Sequence, residues 1–139
     1  MSKIVEKLSV KDIDSYINLI SEVFDYKPSV QSIKKLMKSS NILIIKDYDD
    51  VVASVVVEKK HEYIKEKDYY FISYLCVKNT YRRVGYATTL FDEIEKMAKE
   101  ENIKYIELTS GNHRRNAHFF YKSKNFKIKD TTVFVKIYE

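Results

Sequence analysis

The 139-residue chain holds two glycines, one proline, one cysteine and no tryptophan, and several of these scarcities close off a class of chemistry. Gly85 and Gly111 are too few for G-x-G-x-x-G or G-x-x-x-x-G-K-[ST], which removes a Rossmann dinucleotide fingerprint and a P-loop together. Cys76 is alone, so no intramolecular disulfide and no extracellular scaffold is implied. On a central strand it reads as a small apolar residue rather than a nucleophile. His61, His113 and His118 do not make a zinc site, because His113 and His118 stand five apart and off a common helical face, so no metal is expected. No apolar run approaches the ~20 residues of a membrane span. The N-terminal MSKIVEKLSVKD is charged from its third residue and lacks the apolar core of a signal peptide. The chain therefore reads as cytoplasmic, with no membrane partner. Its net charge of +5 comes from scattered lysines, whereas a nucleic-acid site wants a clustered basic face.

What is present is a regular alternation of elements. Ile4–Leu8 reads as a short strand. Ser9 and Asp12 then open a helix whose Ile13, Tyr16, Ile17, Ile20, Val23 and Phe24 share one face. Ser29, just after the only proline, can cap a second helix carrying Val30, Ile33, Leu36 and Met37. Asn41–Lys46 and Val51–Glu58 read as a hairpin about Asp47–Asp50. Lys59–Asp68 is charged and reads as a solvated connection, and Tyr69–Val77 reads as a central strand, apolar on both faces.

Further helices are expected at Ala87–Glu101 and Arg114–Lys124, a strand at Ile103–Thr109, and two closing strands within Phe126–Tyr138 turning near Asp130–Thr131. The expectation is one domain over residues 1–139, α/β layered (α+β), with a mixed, mostly antiparallel sheet of about seven strands and about four helices.

One of the two glycines falls in YRRVGYATTL, between the longest strand and an amphipathic helix. A helix start leaves several backbone N–H groups unpaired, and with the helix dipole they make an anion site. Glycine lets the chain approach a phosphate closely, small Ala87 leaves room, and Arg82 and Arg83 add charge at the rim.

Arg82–Ala87 also resembles the R/Q-x-x-G-x-G/A signature of the GNAT superfamily of N-acetyltransferases, and Leu75-Cys76-Val77 resembles the end of that family's fourth strand. A second stretch agrees: Thr109-Ser110 and Arg114, then Ala117-His118-Phe119-Phe120-Tyr121, then Asn125-Phe126 resemble the family's closing motif. The element order matches as well, so the resemblance spans nearly the whole chain.

The resemblance implies acetyl-CoA as acyl donor and direct transfer to an amine. By that resemblance the amides of Arg83, Val84, Gly85, Tyr86, Ala87 and Thr88 would hold the CoA diphosphate, with Arg82 beside them. The segment Leu75, Cys76 and Val77 would pair with the pantetheine arm, and the Leu75 N–H would face the thioester oxygen. Tyr121 would protonate the departing thiolate, and Asn112 or Asn116 would bond the pantetheine amides. The sequence departs from the family at Phe71, where many members carry a glutamate base, so Glu22, Asp25 and Glu107 become candidates. Asn125 stands where a glycine is usual, and asparagine tolerates the same left-handed conformation. The missing glutamate keeps open a different class, an acyl-CoA-binding sensor or partner module without chemistry. The acceptor amine is not specified, and a homodimer is left open.

Overall fold

The computed structural model describes residues 3–138. Strand β1 (Val5–Lys7) leads through a 3-10 turn at Val10–Asp12 into helix α1 (Ile13–Phe24). Ser9 does not cap backbone here; its hydroxyl donates to Asp12 Oδ2 at 3.3 Å. Asp12 in turn binds Lys46 at 3.2 Å. The apolar face of α1 is buried through Ile13, Tyr16, Ile17 and Ile20, as the 3.6-residue period requires. The helix stops at Asp25, whose φ of 53° is left-handed. Ser29 caps α2 (Val30–Ser39), its Oγ accepting the Ser32 N–H at 3.1 Å.

Strands β2 (Asn41–Asp47), β3 (Asp50–Glu62) and β4 (Lys67–Val77) form an antiparallel meander, and β1 adds antiparallel to β2. Helix α3 (Tyr86–Glu100) returns the chain to β5 (Ile106–Leu108), which pairs parallel with β4 through only three residues, Tyr70 to Ile72. The sheet order is β1-β2-β3-β4-β5. Ile42, Ile44, Val56 and Cys76 pack with the buried face of α1, and α3 lies on β2, β3 and β4 with Leu90, Phe91 and Ile94 fully buried. Helix α4 is Arg115–Ser123.

Two expectations are corrected. Lys59–Asp68 is largely exposed, as its charge implies, but it is not a loop connection, since β3 and β4 run through most of it to a short turn. Its charges alternate across the sheet faces and find partners there: Lys59 meets Glu101 at 2.8 Å and His61 meets Asp68 at 2.8 Å. Glu62 shapes the turn by accepting the N–H groups of Ile64 and Lys65, bonds that hold its carboxyl below the usual range. The second correction is the strand count, five rather than seven. Residues 126–138 form no strand among the described residues, and Ile128 and Phe134 are largely exposed. Alternating apolar residues show only that a segment would suit a pleated face; a strand also needs a backbone partner. Contacts divide the chain into two units, Met1–Leu108 and Thr109–Glu139.

Candidate functional site

Between Ser73 and Cys76 strand β4 breaks its register. Val56 faces Ser73 and Ser54 faces Cys76, so two steps on β3 oppose three on β4. The surplus is a β-bulge, and at Tyr74 the backbone is left-handed with φ 52°. A bulky residue held there costs of order 1–3 kcal/mol, and such strain gathers at functional sites. The Tyr74 ring is exposed and stands edge-on to Phe24, with centroids 5.6 Å apart.

The bulge also decides which backbone groups are free to act. Ser54 and Val56 lie two apart on β3 and turn the same way, so their partners Cys76 and Ser73 both face β3. The Lys78 N–H, which reaches Val52 O at 2.8 Å, keeps that phase. Leu75 and Val77 therefore turn their N–H and C=O groups to the opposite side, the side on which Tyr70 donates to Tyr105 O at 3.1 Å. There β5 has already ended its pairing at Ile72. Beyond that residue the edge of β4 has no ladder partner among the described residues, and an open edge accepts an extended, amide-bearing chain. Arg82 meets one group on it, its Nε donating to Val77 O at 3.1 Å.

Past β4 a 3-10 turn at Asn79–Tyr81 leads to Arg82–Gly85 and α3. Arg83 (φ 66°) and Gly85 (φ 94°) are both left-handed, and Gly85 is the residue that caps the helix. Thr89 makes the first helical bond, its N–H donating to Gly85 O at 3.0 Å, so the amides of Tyr86, Ala87 and Thr88 precede the ladder. Left-handed turns of this kind gather N–H groups into a concave anion site at the positive end of the helix. Arg82 and Arg83 are exposed at its rim. If the turn holds the CoA diphosphate that the resemblance implies and Arg83 acts through charge, Arg83→Ala should weaken CoA binding at low salt, with the deficit closing as salt rises. Calorimetry across a salt series checks this, and a deficit that ignores salt would make the arginine structural.

Among the base candidates the structure separates three positions. Glu22 accepts the Asn79 N–H at 3.1 Å, which ties the end of α1 to the loop after β4. Asp25 is the exposed residue ending α1. Glu107 lies directly opposite Phe71 in the β4–β5 register, and its Oε1 accepts the Tyr105 hydroxyl at 2.7 Å. Phe71 itself lies beneath the Lys60 ammonium, 4.9 Å from the ring centre. Cys76 is buried, its backbone turned to Ser54, and burial pushes its thiol up to about 12, which keeps it protonated and inert near neutrality.

In the second unit Tyr121 packs edge-on to Phe120 and Phe126, at 5.7 and 6.1 Å. Burial raises its hydroxyl pKa, and Arg114 opposes that rise. Asn112 and Asn116 are exposed. Asn125 takes the left-handed conformation with φ 69°. Among the described residues no cluster of His, Cys, Asp or Glu could hold a metal, and no helix is long and apolar enough to cross a membrane. Sequence reasoning missed the bulge, which no glycine marks, and it missed Lys3, whose ammonium donates to Val84 O.

A search of the curated proteins finds no match to this sequence. Solved structures with the same fold are numerous. A Trypanosoma brucei acetyltransferase superposes with a TM-score of 0.84 at 13% identity, over 98% of this chain and 100% of that one. A ribosomal-protein-alanine N-acetyltransferase from Brucella melitensis gives 0.85 at 15%, over 99% and 100%. An aminoglycoside acetyltransferase from an uncultured soil metagenomic sample gives 0.84 at 18%, over 98% and 95%. Residues 13–126 match the acetyltransferase (GNAT) family, and the chain belongs to that family.

Proposed function

We propose that this chain is an N-acetyltransferase that passes an acetyl group from acetyl-CoA directly to a primary amine of a small molecule or a protein. One observation carries the reading: the bulged edge at Leu75–Val77, without a ladder partner among the described residues, leads through one 3-10 turn into the left-handed turn that opens α3. The pantetheine arm carries two amides and can bond the open edge as a strand would, while the diphosphate meets the amides of Tyr86–Thr88. The Leu75 N–H would then donate to the thioester oxygen and stabilise the tetrahedral intermediate, a contribution of ~10²–10³ in rate for one such donor. Tyr121 is assigned as the acid that protonates the leaving thiolate. The acceptors that name two structural relatives, an alanine of a ribosomal protein and an aminoglycoside, share the amine, and only the amine is carried over.

Glu107 takes the base, because it stands across from Phe71 on the same face of the sheet. Glu107→Gln should lower turnover by ~10²–10³ near neutrality. The deficit should shrink as pH rises, since an alkylamine, with a pKa of ~10.4, then arrives neutral and needs no base. A deficit constant across pH would assign Glu107 a structural part. The activity itself is tested by incubating the chain with acetyl-CoA and a panel of amines and following free thiol. Release that depends on the amine supports transfer; binding of acetyl-CoA without release for any amine favours the sensor reading, to which Phe71 gives its one support.

A further inference from the structure

We propose that Lys3 is a cofactor-binding residue, supplying a cation to the CoA diphosphate from outside the signature turn; this rests on the reading of that turn as an acyl-CoA cradle. The sheet brings it there. Val5 pairs with Ile45, Ile45 with Ala53 and Ala53 with Val77, so the entry of β1 lies at the same end of the sheet as the exit of β4. Lys3, two residues before Val5, reaches onto the turn, where its Nζ donates to Val84 O. The same atom lies 5.1 Å from the centre of the Tyr86 ring. It is also 3.1 Å from the point a Cβ on Gly85 would occupy.

Three features of that position favour an anion beside it. The positive end of the α3 dipole disfavours a lone ammonium, and an anion between the two reverses the sign of the interaction. Arg82 is partly committed to Val77 O, so the rim gains from a second source of charge. An ammonium has three donors, and a carbonyl and an aromatic face engage it without saturating it, so it can hold a phosphate oxygen while still anchored. Lys3 thus adds a cation to the turn from the segment that leads into β1.

The test compares wild type with Lys3→Gln and Lys3→Arg, each as the full chain with a free N-terminal region, by calorimetry. The titrants are CoA, 3′-dephospho-CoA and pantetheine. Lys3→Gln should weaken CoA and dephospho-CoA alike by about threefold to tenfold at low salt, fading as salt rises. Pantetheine, which lacks the diphosphate, should bind as to wild type, and Lys3→Arg should keep most of the CoA affinity. Wild-type affinity for CoA in Lys3→Gln overturns the inference alone. So does an equal loss for pantetheine, which would make Lys3 structural, and so does a loss confined to CoA, which would move it to the 3′-phosphate. A wild-type chain that binds no CoA removes the cradle reading and the inference with it.

Discussion

Tyr121→Phe is expected to slow acetyl transfer by ~10²–10⁴, the range for losing a positioned general acid, while acetyl-CoA affinity changes by less than about tenfold. The asymmetry follows from when the hydroxyl acts. On the proposed mechanism it gives its proton only as the intermediate collapses, so it would lower the barrier and add little to ground-state binding. The ring is retained, so its edge contacts with Phe120 and Phe126 survive and thermal stability should barely move. Burial holds the phenol above its ordinary pKa, which keeps it protonated, and able to donate, into the alkaline range. Turnover and affinity measured on the same variant decide the matter. Full activity would leave the acid unassigned and return Tyr121 to a packing role.

Gly85→Glu should lower CoA affinity by ~10²–10³. A carboxylate about 4 Å from a phosphate in a site of intermediate polarity is repelled by about 4 kcal/mol, and each 1.4 kcal/mol is tenfold. The backbone adds a separate cost to folding, since φ at Gly85 is 94° and a side chain is strained there by about 1–2 kcal/mol. A modest fall in Tm is therefore expected alongside a near-complete loss of CoA binding. Calorimetry on the folded variant checks this, and unchanged affinity would remove the turn from the site.

Gly85 was legible because only two glycines exist and one of them follows a buried strand, where a left-handed start to a helix needs it. Ser29 was legible for a similar reason: capping is local chemistry, and its hydroxyl meets the Ser32 amide as expected. The apolar faces of α1 and α3 follow from periodicity alone. What the sequence hides is long-range. Nothing marks Tyr74 as left-handed, because the bulge comes from the mismatch between β3 and β4, and tyrosine is no indicator of it. Lys59–Asp68 is largely exposed, as its charge implies, but its sequence does not show that the ladder continues through it, with Lys59 reaching Glu101 and His61 reaching Asp68 across the strands. Phe126–Tyr138 errs the other way, with strand-like alternation and no ladder. Lys3 is invisible to any local rule, since its position depends on the register of four strands.

Acetyl-CoA labelled in its acetyl group, mixed with the chain and a primary amine that supports thiol release, gives the most direct test. Mass spectrometry should find the label as an amide on the amine, in step with free CoA, and the intact chain should carry none at any time. Label resting on the chain would contradict direct transfer, and acetyl-CoA bound tightly with no labelled amine from any acceptor would contradict the enzyme itself.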